Sequence, residues 1–386
     1  MPQLETRALP SGATAALEIH ANREGLSGVV AHWGEKLSMD TVYDRLAGQG
    51  VGENEFSRKS GFDVIYHQAD NITRETAIED ELTVGELVGF ESLQARGWEP
   101  TDVDAIVLGS GVPVVDNEQI DNYAGALAQR MGMRENIAAH STYAACTSGI
   151  HEFIGALKDQ SLQHKKVLLM GMEGVTALTP NLDIDRADPF SIQVFSNGAA
   201  GLAFVPGEDI ILHASKHMVI PDTKSALAAH MTYERLLDPK SPDFWQEDTR
   251  RGLHMMRYPA PKEGRLLDLN QKLTSMFFTL NMLDFFGDFY NEYESTHPNE
   301  KIVYVAAHHA SKPIHDGLTK RLTERKGIEN LQMPWVVPDG NSSAATGLIA
   351  HNRLLPEAQG GNRIIIAGYG AGASFDIGVI EYAALS

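Results

Sequence analysis

The chain contains one cysteine, Cys146, and its setting gives it chemical interest. In Ala144-Ala145-Cys146-Thr147-Ser148-Gly149 the thiol is surrounded by small residues, and Ile150, Phe153, Ile154 and Leu157 follow at helical spacing. This pattern predicts an extended segment that turns sharply into a helix with Cys146 at or near its N-terminus. Unpaired amides and the positive end of the helix dipole favour a thiolate there, the form in which cysteine is a nucleophile. The competing reading is a buried structural cysteine. Two more polar residues stand where strands are predicted to give way to helices. His308 follows an apolar run over 302–307, and Asn341 closes the turn Pro338-Asp339-Gly340-Asn341. Ligands converge at such strand ends in open α/β sheets. Cysteine, histidine and asparagine together could supply a nucleophile, a proton acceptor or oxyanion donor, and a neutral amide donor. Taken singly, His308 reads as a satisfied core histidine and Asn341 as a turn former.

The elements that must position these three repeat. Residues 103–109 and 165–171 read as buried strands, 83–96 and 123–131 as helices, and 193–206 as a strand pair broken at Ser196-Asn197-Gly198. The second half repeats the rhythm with strands at 302–307, 363–367 and 374–382, a helix at 315–326 and a small-residue helix after Asn341. This succession implies an internal duplication into two βαβ-rich halves on mixed sheets. The expected division is 1–206, carrying the cysteine, and 207–386, carrying the histidine and asparagine with an insertion at about 207–300. Residues 1–25 lack a clear period and read as an extension or a poorly fixed edge. The stretch 266–293 carries Leu269, Leu273, Met276, Phe277, Leu280, Leu283 and Phe286. That stripe reads as core, with the lining of an acyl tunnel as the alternative.

Composition removes several function classes. With 386 residues, 43% of them hydrophobic, the chain can bury one large core or two packed ones. Its formal charge of −19 argues against a nucleic-acid surface, while Lys165-Lys166, Arg250-Arg251 and the group Lys312, Lys320, Arg321, Arg325 and Lys326 could form local basic patches. No apolar run reaches the roughly 18 residues of a membrane span, and the first residues carry no basic-then-apolar leader, so a cytoplasmic protein is expected. One cysteine allows neither an intrachain disulfide nor a cysteine-based zinc site. His308, His309 and His315 have no suitably spaced carboxylate, so no metal or cofactor is expected. There is no Gly-x-Ser-x-Gly elbow, His-Glu-x-x-His pair or Walker loop. Gly368-Tyr369-Gly370-Ala371-Gly372 leaves only 14 residues after it, too few for a dinucleotide fold; backbone lying close to a thioester suits it better. Papain-like peptidases share the order Cys, His, Asn, but their cysteine signature is absent.

Taken together, these motifs resemble those of the thiolase-fold condensing enzymes, specifically the ketoacyl-acyl-carrier-protein synthase III group. Ala144–Gly149 looks like the nucleophile motif, and Ala307-His308-His309-Ala310-Ser311 like His-Gln-Ala-Asn with two substitutions. Gly340-Asn341-Ser342-Ser343-Ala344-Ala345 is close to Gly-Asn-Thr-Ser-Ala-Ala. Phe195-Ser196-Asn197-Gly198-Ala199-Ala200-Gly201 and the 368–372 segment match glycine turns of the group. The match covers about 55–205 and 300–382. A second active-site cysteine, as in thiolases proper, is lacking, and Asn341 stands where elongating synthases use a second histidine. The resemblance implies an α/β fold of duplicated βαβ halves in five layers, α-β-α-β-α, and a homodimer. It implies acyl transfer to Cys146 and a decarboxylative Claisen condensation with a malonyl thioester, in fatty acid or polyketide biosynthesis. His308 and Asn341 would stabilise the enolate, and backbone at Gly370 and Gly372 would lie at the oxyanion. Arg58, Ile120 and Phe195 would contact substrate, delivered as a coenzyme A or acyl-carrier-protein thioester. Asn54 stands where a tryptophan that stacks on adenine is expected, which points toward the carrier protein. Glu118 lies in the loop where relatives that join two acyl chains keep a base, about two positions away by alignment. It is the candidate base of the alternative, a chain-joining ketosynthase or an acyltransferase of secondary metabolism on the same fold, which needs no malonyl group; otherwise it is a surface carboxylate.

Overall fold

The computed structural model describes residues 3–23, 25–52, 60–68, 72–111, 123–143, 145–178, 180–185, 187–219, 229–231, 267–269, 271–329, 331–370 and 374–383. The first part of the chain runs through β1 (Gln3–Ala8), β2 (Thr14–Ala21), β3 (Ser27–Ser38), α1 (Met39–Gly48), β4 (Val64–His67) and α2 (Arg74–Gln94). It continues through β5 (Ala105–Ser110), α3 (Tyr123–Arg130), β6 (Ala138–Thr142), α4 (Ser148–Lys158), β7 (Val167–Glu173), α5 (Pro189–Val194) and β8 (Gly198–Phe204). The rest comprises β9 (Ile210–Val219), the short pair β10 (Ala229–Met231) and β11 (Leu267–Leu269), α6 (Gln271–Thr296), β12 (Ile302–Ala307), α7 (Lys312–Lys326), α8 (Ser343–Leu354), β13 (Arg363–Gly370) and β14 (Ser374–Tyr382).

Two mixed sheets carry the structure. The first has the order β1-β2-β3-β8-β7-β5-β6, with β4 also on β3; the second has the order β12-β13-β14-β9. In the first, β7 is parallel to β5 and antiparallel to β8, and β8 is antiparallel to β3. In the second, β13 is parallel to β12 and antiparallel to β14, which is antiparallel to β9. The block β5-β7-β8-β3 therefore recurs as β12-β13-β14-β9, as the repeated motif order predicts. Every residue of β5, β7 and β8 is buried, as for strands covered on both faces.

The central layer is α4 and α8, which pack on each other and on strands of both sheets. Helices α2 and α3 cover the outer face of the first sheet, and α6 and α7 that of the second. The result is five layers, α-β-α-β-α. Two of the apolar clusters lie on either side of the first sheet, one centred on Phe153, Ile349 and Ile366, the other on Trp33, Val88 and Tyr123. A third joins Phe278, Phe286 and Leu318 to Ile365 and Phe375. Within the stripe read at 266–293, Leu283 and Phe286 are buried in this third cluster, while Leu280 is 40% exposed.

Three local readings change. Residues 3–21 form the hairpin β1–β2, registered along β3. Its alternation is blurred because alanines fill much of β2, yet Ala15 and Leu17 are buried. The first part of 193–206 is the end of α5, not a strand. Asp188 accepts hydrogen bonds from the backbone N–H groups of Phe190 (2.9 Å) and Ser191 (3.1 Å), and Pro189 occupies the first turn, a cap and proline pair that favours a helix start. Helix α2 begins well before residue 83, capped by the Thr73 hydroxyl. Its acidic first half resembles a loop because two carboxylates face inward: Asp80 accepts from Ser11 N (3.0 Å) and Glu81 from the Tyr123 hydroxyl (2.5 Å).

Candidate active site

Cys146 lies in a single 3-10 turn, Ala145–Thr147, between β6 and α4. Ala145 takes φ of 49°, left-handed backbone that costs an alanine roughly 1–2 kcal/mol. The Ser148 hydroxyl lies 2.7 Å from Ala145 O and 2.9 Å from Ser110 O, so the turn is tied both to itself and to the end of β5. Strand and turn meet so closely that a Cβ at Gly109 would stand 2.4 Å from the Ser148 carbonyl carbon. Cys146 is buried, 7% exposed, and is not in a disulfide.

The second half closes on this turn from two directions. A Cβ at Gly370, the last residue of β13, would lie 2.7 Å from Cys146 N and 2.8 Å from its Cβ, so only glycine allows this approach. From the start of α8, the Ser343 hydroxyl lies 3.4 Å from Cys146 Sγ. Ser343, the first residue of α8, has φ of 41°, so two left-handed residues flank Cys146: Ala145 directly before it in the turn that leads into α4, and Ser343 beside its sulfur.

Asn341 is fixed before α8. Its backbone bridges to Phe195, with Asn341 N donating to Val194 O (2.7 Å) and Ser196 N donating to Asn341 O (3.0 Å). Its Oδ1 accepts from Ser343 N (2.9 Å) and the Thr346 hydroxyl (3.1 Å). With the oxygen so held, the amide orientation is set and Nδ2 is directed elsewhere as a donor. Gly340 precedes it with φ of 92° and packs against Ser196.

His308 follows β12, its N–H bonded to Ala367 O (2.8 Å). Its ring meets Tyr369 edge-on, centroids 5.1 Å apart. Burial holds its pKa down at about 3, so the imidazole is neutral at pH 7. Its Nδ1 has no hydrogen-bond partner among the described residues. Next to it, His309 stacks on Trp335 at 4.6 Å and 8°, and burial lowers its pKa as well, with His315 adding to the effect.

The structure thus brings the Cys146 turn, Gly370, Ser343 and Asn341 to one junction, with His308 reached through Tyr369. Phe195 lies beside Asn341 and is buried. Arg58, Glu118, Ile120 and Gly372 lie outside the described residues. Sequence reasoning did not single out Ser343 or Glu173. Glu173 ends β7 wholly buried and accepts from Gly111 N at 2.9 Å. A Cβ at Gly111 would fall 2.3 Å from Glu173 Oε2 and 2.5 Å from Ser343 Oγ, which places this carboxylate at the edge of the site. A charged residue closing the apolar run 167–172 was the available signal. Of the proposed basic groups, Lys312 pairs with Asp316, Lys320 with Glu324, Lys326 with Asp284 and Asp288, and Lys166 with Asp102; Arg250 and Arg251 lie outside the described residues. Among the described residues no helix is long and apolar enough to cross a membrane.

No protein-family model matches the chain. A β-ketoacyl-acyl-carrier-protein synthase III of Chelativorans sp. (strain BNC1) is 24% identical over 306 residues, 78% of this chain and 84% of that protein. Among solved structures, 3-oxoacyl-acyl-carrier-protein synthase III from Aquifex aeolicus VF5 superposes with a TM-score of 0.62 at 13% identity, covering 98% of this chain and all of that one (100%). Germicidin synthase of Streptomyces coelicolor, a type III polyketide synthase, superposes at 0.66 with 12% identity, covering 95% and 99%. The chain has the thiolase-like fold of these condensing enzymes and resembles the synthase III group.

Proposed function

We propose that the protein is a ketosynthase-type condensing enzyme in which Cys146 carries the acyl group. The observation behind this reading is the junction itself. One half presents a buried cysteine on a strained turn before a helix, and the other brings Gly370 and Ser343 against it, with Asn341 bonded to Ser343 and a neutral His308 packed on Tyr369 next to Gly370. Resemblance to synthase III supports the same chemistry.

In the proposed cycle the Cys146 thiolate attacks an acyl thioester. The carbon–sulfur bond of the donor breaks, its sulfur leaves with the bonding pair and takes up the proton that Cys146 gave up, and an acyl-cysteine remains. A malonyl thioester then loses CO2, and the electron pair released becomes an enolate. The N–H of His308 and the Asn341 amide donate to that oxygen; a donor already aimed at developing charge in a dry site contributes most to catalysis of this kind. The enolate carbon attacks the acyl-cysteine, expels the thiolate and yields a β-ketoacyl thioester. Backbone N–H groups at Cys146 and the Gly370–Gly372 segment would bind the tetrahedral oxyanion. A neutral imidazole suits this role because it donates without protonating the enolate before carbon–carbon bond formation. Arg58, Ile120 and Phe195 are proposed to contact substrate, and the working form is proposed to be a homodimer served by an acyl carrier protein.

Intact-mass measurement after incubation with acyl-coenzyme A and acyl-carrier donors of several lengths tests this reading. One acyl group should appear, located on Cys146 and absent from Cys146→Ala. Malonyl-carrier protein should then release the acyl group as a condensed product with CO2. His308→Ala should still be labelled but should not decarboxylate the malonyl thioester. A chain that no donor acylates would sink the proposal. Release only with a second β-ketoacyl chain would replace it with the chain-joining reaction and make Glu118 the residue to test.

A further inference from the structure

Away from the nucleophile, three side chains from three elements meet at the rim of the second sheet. His217 on β9 lies directly opposite Asp376 on β14 in the antiparallel register, so both side chains leave the same face. His151, one turn into α4, approaches from that face. His217 Nδ1 lies 2.9 Å from Asp376 Oδ1, and His151 Nδ1 lies 3.2 Å and 3.3 Å from its two oxygens. The two rings stand edge to face, centroids 5.2 Å apart. One ligand atom from each residue falls within 4.8 Å of the others.

From this geometry we infer that His151, His217 and Asp376 form a binding site for one divalent transition-metal ion of the zinc class. Bonds of about 2.0–2.1 Å in a tetrahedral site put neighbouring ligand atoms about 3.3 Å apart; the two histidine–aspartate separations already match that spacing, and the remaining pair, within 4.8 Å, closes to it by a swing of the partly exposed imidazoles of up to about 1.5 Å. Two imidazoles and one carboxylate suit zinc, nickel or cobalt, whereas magnesium and calcium want an all-oxygen shell. Three protein ligands leave a coordination position for water, and the imidazoles give access to it because their side chains are 39% and 44% exposed.

The charge arrangement supports the assignment. Asp376 is 2% exposed, and among the described residues its charge is answered only by these two histidines. A buried carboxylate is costly without a cation close by. The other charged groups lining the hollow are Lys158, Asp159 and Lys216; the Lys216 ammonium is drawn 5.9 Å above the Phe285 ring. Metal binding must displace the protons through which the histidines bond to Asp376, so affinity should rise with pH. A bound ion would tie α4, which opens at the nucleophile turn, to the strand that follows Gly370.

Calorimetric titration of the full-length, chelator-treated protein with Zn2+ tests the inference, with Co2+ absorption as a second readout of imidazole and carboxylate ligation. Saturable binding of one ion per chain is expected, and it should persist in Cys146→Ala, which separates it from the thiol chemistry. His151→Ala and His217→Ala should each weaken it by more than the 10–100-fold typical of losing an outer-sphere partner, roughly 100-fold or more. His164→Ala, at an exposed histidine paired with Glu208, should leave it unchanged. Both informative variants replace partly exposed side chains, so folding is retained even if Asp376→Asn fails to fold. Absence of saturable Zn2+ binding, or binding indifferent to His151→Ala and His217→Ala, would overturn the assignment.

Discussion

The two halves are built on one plan, and they differ at the ends of matching strands. Val167-Leu168-Leu169-Met170-Gly171-Met172-Glu173 in β7 has its counterpart in Ile364-Ile365-Ile366-Ala367-Gly368-Tyr369-Gly370 of β13. The glycine in the middle does the same work twice. A Cβ at Gly171 would press on Leu348 and Ala345 of α8, and one at Gly368 on Ile150 and Thr147 at the start of α4. Each half's central helix therefore lies on the other half's sheet at a place where a side chain is missing. Beyond that point the halves diverge. Glu173 closes β7 where Gly370 closes β13. Gly109, opposite Gly171, lets the α4 turn descend onto β5, whereas the second half carries His308 at the corresponding place after Ala307. Duplication supplied the frame, and at these strand ends glycine in one half stands where the other half carries a polar residue; in the proposed reaction the nucleophile then belongs to one half and the side-chain donors to the other.

The strongest way to break the comparison is to cut what locks the halves together. Arg353 of α8 is 9% exposed and pairs with Glu18 of β2 (2.9 Å) and with Asp339. The hairpin carrying Glu18 extends only the first sheet, so this lock has no counterpart in the second. Arg353→Leu leaves two half-buried carboxylates without their shared cation and should destabilise the protein by about 2–3 kcal/mol, read by urea unfolding. The pH dependence should change with it. Burial pushes the Glu18 pKa up, but the hydrogen bond from His20 and the charge and hydrogen bond of Arg353 outweigh it and lower it from 4.5 to about 2. A carboxyl shifted down in the folded state contributes stability that is present above pH 4.5 and is lost as pH falls toward 2. In Arg353→Leu that acid-side slope should become shallower, the remainder being held by His20; an unchanged slope would show that Arg353 does not set it.

The glycine contacts can be tested within one helix. Gly149→Ala would place a Cβ 2.5 Å from Ala344 O of α8, backbone that cannot swing aside, whereas Gly155 in the same helix has nothing within 4 Å. Gly149→Ala should cost about 1–3 kcal/mol as overpacking, and Gly155→Ala should stabilise by about 0.5–1 kcal/mol through helix propensity. Equal effects from both in thermal unfolding would mean that α4 and α8 do not depend on close approach.

Much of this was legible in the sequence because the repeated signals are strong ones. Continuous apolar runs identified β5, β7, β12 and β13, and the small-residue motifs at Cys146 and Asn341 marked both central helix starts. What stayed hidden depends on partners remote in sequence. The acidic start of α2, before residue 83, does not show as helix in the apolar period because Tyr123 and Ser11, which receive Glu81 and Asp80, lie on other elements. Ser343 gave no sign of touching sulfur, since its hydroxyl reaches Cys146 only through the packing of α8 on α4. His217 and Asp376 are 159 residues apart in the chain and meet only through the β9–β14 register.

Two serines sharpen the division between the halves at the smallest scale. Ser343 belongs to the second half and contacts the nucleophile, so Ser343→Ala should cost about 1 kcal/mol in the acylation step, roughly a fivefold slower appearance of acyl-Cys146 by intact mass. Ser110 stands one residue beyond Gly109 in the first half. Its buried hydroxyl has no partner among the described residues, and its structural contact is its backbone carbonyl, which accepts from Ser148. Alanine keeps that carbonyl and removes only the unsatisfied hydroxyl. Ser110→Ala should therefore change stability by no more than about 0.5 kcal/mol and leave the acylation rate unaltered. A slower rate in Ser110→Ala would mean that the first half also contributes a side-chain donor at the thiol, and the assignment of the side-chain donors to the second half would fail.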